Sequence, residues 1–123
     1  MQEKKIRQSN VDRSASTRKR VLEAAKTLFV TKGYAATGTP EIVAQAGVTR
    51  GALYHHFEDK RALYLALVEA ESAAVAAEIE DAGSAADPPI VLLHRGATAY
   101  LRAMQREGRT RLLLIEAPAV LGF

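Results

Sequence analysis

A chain of 123 residues, 48% of them hydrophobic, has material for one compact core and not for two large domains. It has no cysteine for a disulfide or a thiolate metal site, no apolar run of about 18 residues, and no apolar h-region behind its polar, basic start, so the expectation is a soluble cytoplasmic protein without a membrane partner. The net charge of +3 is uneven: residues 1–61 hold twelve Lys or Arg against six Asp or Glu, and residues 62–123 hold five against eight. A basic first half suits a polyanion-binding module, or else is the ordinary solvated charge of a terminus. Alanine, leucine and valine dominate while aromatics are 6%, which predicts an all-α fold.

Residues 1–15 carry Lys4, Lys5, Arg7 and Arg13 among polar residues with almost no apolar periodicity, and are expected to form a flexible basic arm. After this arm the chain falls into residues 16–60 and a further helical stretch over 61–123. Ser16 or Thr17 caps a first helix ending at Gly33, with Leu22, Ala25, Leu28 and Phe29 as its buried stripe. Arg18, Lys19 and Arg20 in its first turn oppose the helix dipole, so they are either phosphate contacts or an exposed basic turn without function. After a connector bounded by Gly33 and Gly38, Thr39 is expected to cap a second helix, with Pro40 at its first position and Glu41 at its positive end.

Gly47 follows the apolar positions Ile42, Val43 and Ala46 as a helix stop, and Thr49 two residues later is an N-cap. One helix stops and another starts within about three residues, the tight corner of a helix-turn-helix, with Val48 placed to plug it. The third helix, Arg50 to Phe57, is about two turns long and must be held by neighbours through Leu53 and Phe57. Thr49 and His56 flank that inward face, whereas Gly51, Tyr54 and His55 point the opposite way with Arg50 at the border. Such an outward face is poor core material and suits the major groove, where Gly51 lets the backbone approach and the longer groups reach phosphates and base edges.

Asp59 caps a fourth helix that runs to about Asp81 through Leu63, Leu67, Ala70 and Ala74 and spans roughly 35 Å, long enough to join two functional halves. Gly83 to Asp87 reads as a linker, and Asp87 with Pro88 or Pro89 opens a fifth helix. Ile90, Leu93, Ala97, Tyr100, Leu101 and Met104 form its apolar face and Gly108 is its expected end. Arg109 to Glu116 is a further helical piece, interrupted before Pro118.

The run from Arg18 to Lys60, with AGVTRGALYHHF and a lysine three residues on as its specific part, resembles the DNA-binding domain of the tetracycline-repressor-like (TetR) transcription regulators. The resemblance covers roughly a third of the chain and continues more weakly to its end. It implies a repressor that binds a palindromic double-stranded DNA operator as a homodimer and releases it when a small-molecule effector occupies the helical half. It also implies a DNA-binding domain over residues 16–60 and a regulatory and dimerisation half over 61–123, a phosphate contact from Lys60 with a solvent-exposed lysine as the alternative, and a basic arm that can reach into the minor groove with a solubilising tail as the alternative. The chain departs from the family at Gly38, Thr39 and Pro40, where Ser or Thr, an aliphatic residue and a polar or basic residue are usual. Pro40 cannot donate a hydrogen bond, so base reading from the second helix is not expected, and phosphate contact there is left to Thr37, Thr39 or backbone N–H groups of the helix start.

The candidate DNA-binding residues are therefore Arg18, Thr37, Thr39, Thr49, Arg50, Gly51, Tyr54, His55, His56 and Lys60; His94, Tyr100 and Met104 are candidate ligand contacts or ordinary helix residues. An enzyme is not expected, nor a metal or cofactor: adjacent His55 and His56 cannot ligate one metal from one helix face, and no H-E-x-x-H, phosphate-cradling glycine loop or nucleophile elbow occurs. The alternative is a helical DNA-organising or protein-interaction module with the same motif and no inducer control. Because the family's dimer is made mainly by two helices near the C-terminus, the 123 residues are expected to be the front of a longer protein and to dimerise weakly alone.

Overall fold

A computed structural model describes the backbone of residues 2–122 and the side chains of residues 10–122. Among the described residues the elements are α1 (Gln2–Lys32), α2 (Thr39–Ala46), α3 (Arg50–His56), α4 (Lys60–Asp81), α5 (Pro89–Ala103), a π-helical turn (Arg111–Glu116) and α6 (Ala117–Leu121). None of these helices is long and apolar enough to cross a membrane. The chain divides at Tyr64 and Leu65 into two compact units.

In the first unit α1 begins at Gln2 and not at Ser16 or Thr17. No glycine or proline interrupts residues 2–32, so nothing local stops the helix from extending through a stretch that has no apolar stripe. Its buried face is Val21, Ala24, Ala25, Leu28 and Phe29, the i, i+3, i+4, i+7, i+8 pattern of an amphipathic helix; Leu22, expected in that stripe, is only half-buried. Ile42 from α2, Leu53 from α3 and Leu63 and Tyr64 from α4 complete the core, all fully buried. The rings of Phe29, Tyr34 and Tyr64 meet pairwise with centroids 5.2–5.4 Å apart, the aromatic centre of this unit.

Local hydrogen bonds set the corners. Gly38, not Thr39, is the N-cap of α2, its carbonyl accepting from Glu41 and Ile42, and Thr39 is the first helical residue with Pro40 behind it. Lys32 pairs with Glu41 across the connector and holds that carboxyl below its usual pKa. At the end of α2, Gly47 sits at φ +68°, the Gly47 N–H donates to Ala44 O and the Val48 N–H to Val43 O, a Schellman closure. Thr49 Oγ1 accepts from Ala52 N at 3.1 Å and starts α3; Asp59 Oδ1 accepts from Ala62 N at 2.7 Å and starts α4.

The second unit takes in the rest of α4 and everything after it. Along this part of α4 the buried positions are Leu67 and Val75, while Ala70, expected inside, is exposed. Asp87 closes the linker instead of capping α5, accepting from Ser84 N at 3.0 Å and pairing with Arg95 Nη1 at 2.9 Å. α5 ends at Ala103, five residues before Gly108, and its expected apolar face stands largely open, with Ile90 72%, Leu93 68% and Leu101 63% exposed. Between Arg111 and Glu116 the helix widens to π geometry, with Ala117 N–H donating to Leu112 O, and α6 continues through Pro118 where an interruption was expected. The reason is steric: proline has no N–H and its ring presses on the carbonyl four residues back, which a wider turn moves aside.

Candidate nucleic-acid interface

The outward face of α3 is assembled as its spacing predicts. Thr49, Arg50, Gly51, Tyr54 and His55 are exposed, whereas Leu53 and Phe57 are buried beneath them. A Cβ added at Gly51 would find only Thr49 Oγ1, at 4.0 Å, so no neighbour inside the fold requires a glycine there. Tyr54 is oriented from two sides: its hydroxyl lies 3.4 Å from Thr39 Oγ1 on α2, and the Arg50 guanidinium stands over its ring at 5.6 Å. Thr39 thereby orients an outward-facing side chain of α3 from the neighbouring helix.

His55 and His56 meet edge to face at 5.1 Å. His56 is half-buried, and burial, then the charges of His55 and Arg18, hold its imidazole below the usual value of 6.5. In neutral form it offers one donor and one acceptor in place of a positive charge. Arg18, near the middle of α1, lies with its guanidinium over the Phe57 ring at 5.1 Å and remains exposed, which brings a cation to the edge of the α3 face.

Two expected contacts are placed differently. Thr37 is 2% exposed and its hydroxyl is oriented toward Gly33 O at 2.8 Å and Leu28 O at 3.3 Å; the side chain is sealed inside the connector and is not presented to a phosphate. Lys60 is half-buried, and its ammonium donates to Tyr34 O at 2.8 Å and Thr37 O at 3.1 Å while facing the Tyr34 ring at 3.9 Å. Burial, and next the Asp59 carboxylate, raise the Tyr34 phenol above its usual pKa.

In the second unit a cavity of about 610 Å³ has Ala82, Ala99 and Ala103 in its wall, with Arg95, Thr98, Arg102, Arg106, Glu78 and His94 around them. His94 is thus brought to a cavity, and Tyr100 and Met104 are not among its lining residues. Sequence reasoning missed Arg109, 4% exposed, which donates to Glu71 Oε2 at 2.8 Å, Glu78 Oε2 at 3.1 Å and Ala103 O at 2.9 Å. Burial alone would lower its pKa; the two carboxylates more than offset this, and the net shift is upward. The available signal was the seven-residue spacing of Glu71 and Glu78, two helical turns on one side of α4.

A short helix capped at both ends, packed by its inner face and presenting glycine, tyrosine, histidine and arginine outward, defines a helix-turn-helix domain of the DNA-binding class. Residues 21–67 match the family model of the bacterial regulatory proteins of the tetR family. The chain is 36% identical over 99 residues to the HTH-type transcriptional regulator AcrR of Shigella flexneri, a match spanning 80% of this chain and 46% of that protein. It superposes on a TetR-family transcriptional regulator from Pectobacterium atrosepticum with TM-score 0.74 and 35% identity, over 90% of this chain and 57% of that one. A gamma-butyrolactone receptor (ArpA-like protein) matches with TM-score 0.71 and 34% identity, over 87% and 54%. The chain spans about half the length of these proteins, and it belongs to the TetR family.

Proposed function

We propose that this protein is a cytoplasmic, sequence-specific transcription regulator that binds a palindromic operator as a homodimer, with α3 in the major groove, and acts as a repressor released by a small molecule. The observation that carries the DNA-binding reading is the exposed row Gly51, Tyr54 and His55 on a helix whose opposite side is fully packed. Arg50 and Arg18 supply cations at its border, and backbone groups at the start of α2 remain candidates for phosphate contact. The effector reading is supported by the cavity in the second unit, whose volume falls in the range of small-molecule sites, and by the likeness to a protein described as a gamma-butyrolactone receptor.

Selection of bound duplexes from a random library tests the proposal. The expected outcome is an enriched inverted repeat with half-sites about one helical turn, roughly 34 Å, apart. A pool bound without any consensus would replace regulation by sequence-independent DNA organisation, and no retention at all would remove the DNA-binding reading. With a site in hand, footprinting with and without candidate effectors tests the release step.

A further inference from the structure

We propose that Lys60 is a positioning residue for the DNA-reading helices: a clamp whose ammonium is used up on the connector between α1 and α2 and is not offered to a phosphate. The inference rests on the DNA-binding reading above and concerns which residues serve it.

An ammonium group has three N–H donors and no acceptor. In Lys60 two of them are directed to the carbonyls of Tyr34 and Thr37, at 2.8 and 3.1 Å, and the ammonium also stands 3.9 Å from the centre of the Tyr34 ring. Carbonyls in a partly buried connector need donors that water cannot fully supply. Tyr34 O also accepts from Thr37 N at 3.2 Å, and the Thr37 hydroxyl is oriented back toward Gly33 O and Leu28 O, so Lys60 closes a small network that gives residues 33–37 one shape.

That shape reaches the reader face in two steps. The connector leads through Gly38 into α2, whose first residue, Thr39, is in contact with the Tyr54 hydroxyl on α3. Beneath the ammonium, Tyr34 packs against Phe29 and Tyr64, so the cation also fixes the ring that joins α1 to the start of α4. Turning Lys60 outward to a phosphate would break both carbonyl bonds and the ring contact together.

Lys60→Met keeps the length of the stem and removes every donor; Lys60→Arg keeps the charge but puts a wide planar fork where a compact ammonium fits. The clamp predicts that both variants speed amide exchange over residues 34–39 and lower the thermal midpoint. It also predicts that Lys60→Met leaves the slope of log K against log salt on duplex DNA at the wild-type value. A phosphate contact predicts a slope smaller by about 0.9 for Lys60→Met and near-normal behaviour for Lys60→Arg. Either a reduced slope or unchanged exchange in Lys60→Met overturns the proposal. Should that variant fail to fold, the wild-type ammonium signal in NMR decides: slowly exchanging protons in the DNA-free chain, unaltered by added duplex, support the clamp, and a rapidly exchanging signal that sharpens only with DNA refutes it. If the chain binds no duplex at all, the DNA reading fails, while exchange, midpoint and ammonium signal still report whether the clamp exists.

Discussion

Gly51 stands on an exposed helical turn where the fold makes no use of its missing side chain. A glycine there costs about 0.5–1 kcal/mol of helix stability relative to alanine. Gly51→Ala is therefore expected to raise the urea midpoint while weakening binding to a selected operator, since the added methyl keeps the backbone away from the groove. A variant that gains stability and keeps full affinity would remove the close-approach role. His56 gives a second test at this scale. Its imidazole is held below 6.5 by burial, His55 and Arg18, so as the pH falls the unfolded chain takes up the proton first. Stability then rises with pH below about 6.5, is fully present above it, and is lost on acidification. Comparing wild type with His56→Gln at pH 5.5 and 7.5 isolates this contribution, because the carboxylates common to both cancel; equal pH dependence would contradict it.

The corner between α2 and α3 depends on backbone geometry more than on contacts. Gly47 has φ +68° and a Cβ there would meet nothing within 4 Å, so Gly47→Ala is expected to cost about 1–2 kcal/mol through the left-handed conformation alone. Gly47→Asn should cost less, since asparagine tolerates that region; urea unfolding that ranks the two the other way would point to a hidden clash. This corner was legible in the sequence because each of its bonds closes within a few residues: Gly47 to Ala44, Thr49 to Ala52, Asp59 to Ala62. The exposed row on α3 was legible for the same reason, being a matter of phase along one helix. The partners of Lys60 were not legible, since they lie 23 and 26 residues back, and the burial of Thr37 was missed although one of its two carbonyl partners is only four residues away, the other being nine. The start of α1 was misread for want of an apolar stripe, although no breaker stood in its way.

Across the whole molecule the charges fall into two patterns. The first half presents cations on its surface near α3, at Arg18 and Arg50, and the second draws one inward. Arg109 ties two turns of α4 to the end of α5 through bonds spanning 38, 31 and 6 residues. Removing one member of a buried ion pair costs about 3–5 kcal/mol; because Glu78 is a third exposed and retains Arg106, Arg109→Met is expected near the lower end of that range. Adding Glu71→Gln removes the negative charge that faced Arg109 and should recover part of the loss in a double-mutant cycle followed by thermal unfolding. Strict additivity would show that Glu71 is solvated once Arg109 is gone.

The widened turn at Arg111–Glu116 also bears on how this chain tolerates change in length. A π turn is an α-helix carrying one residue in excess, and the surplus there accommodates Pro118. Deleting Leu113 would let the segment close as plain α-helix without altering the phase of α6, except that the proline ring would then press on the carbonyl one turn back. The deletion alone should lower the melting temperature, and Pro118→Ala should rescue it. The helix thus holds a single spare residue that an insertion or deletion could use, and a proline that keeps it in place.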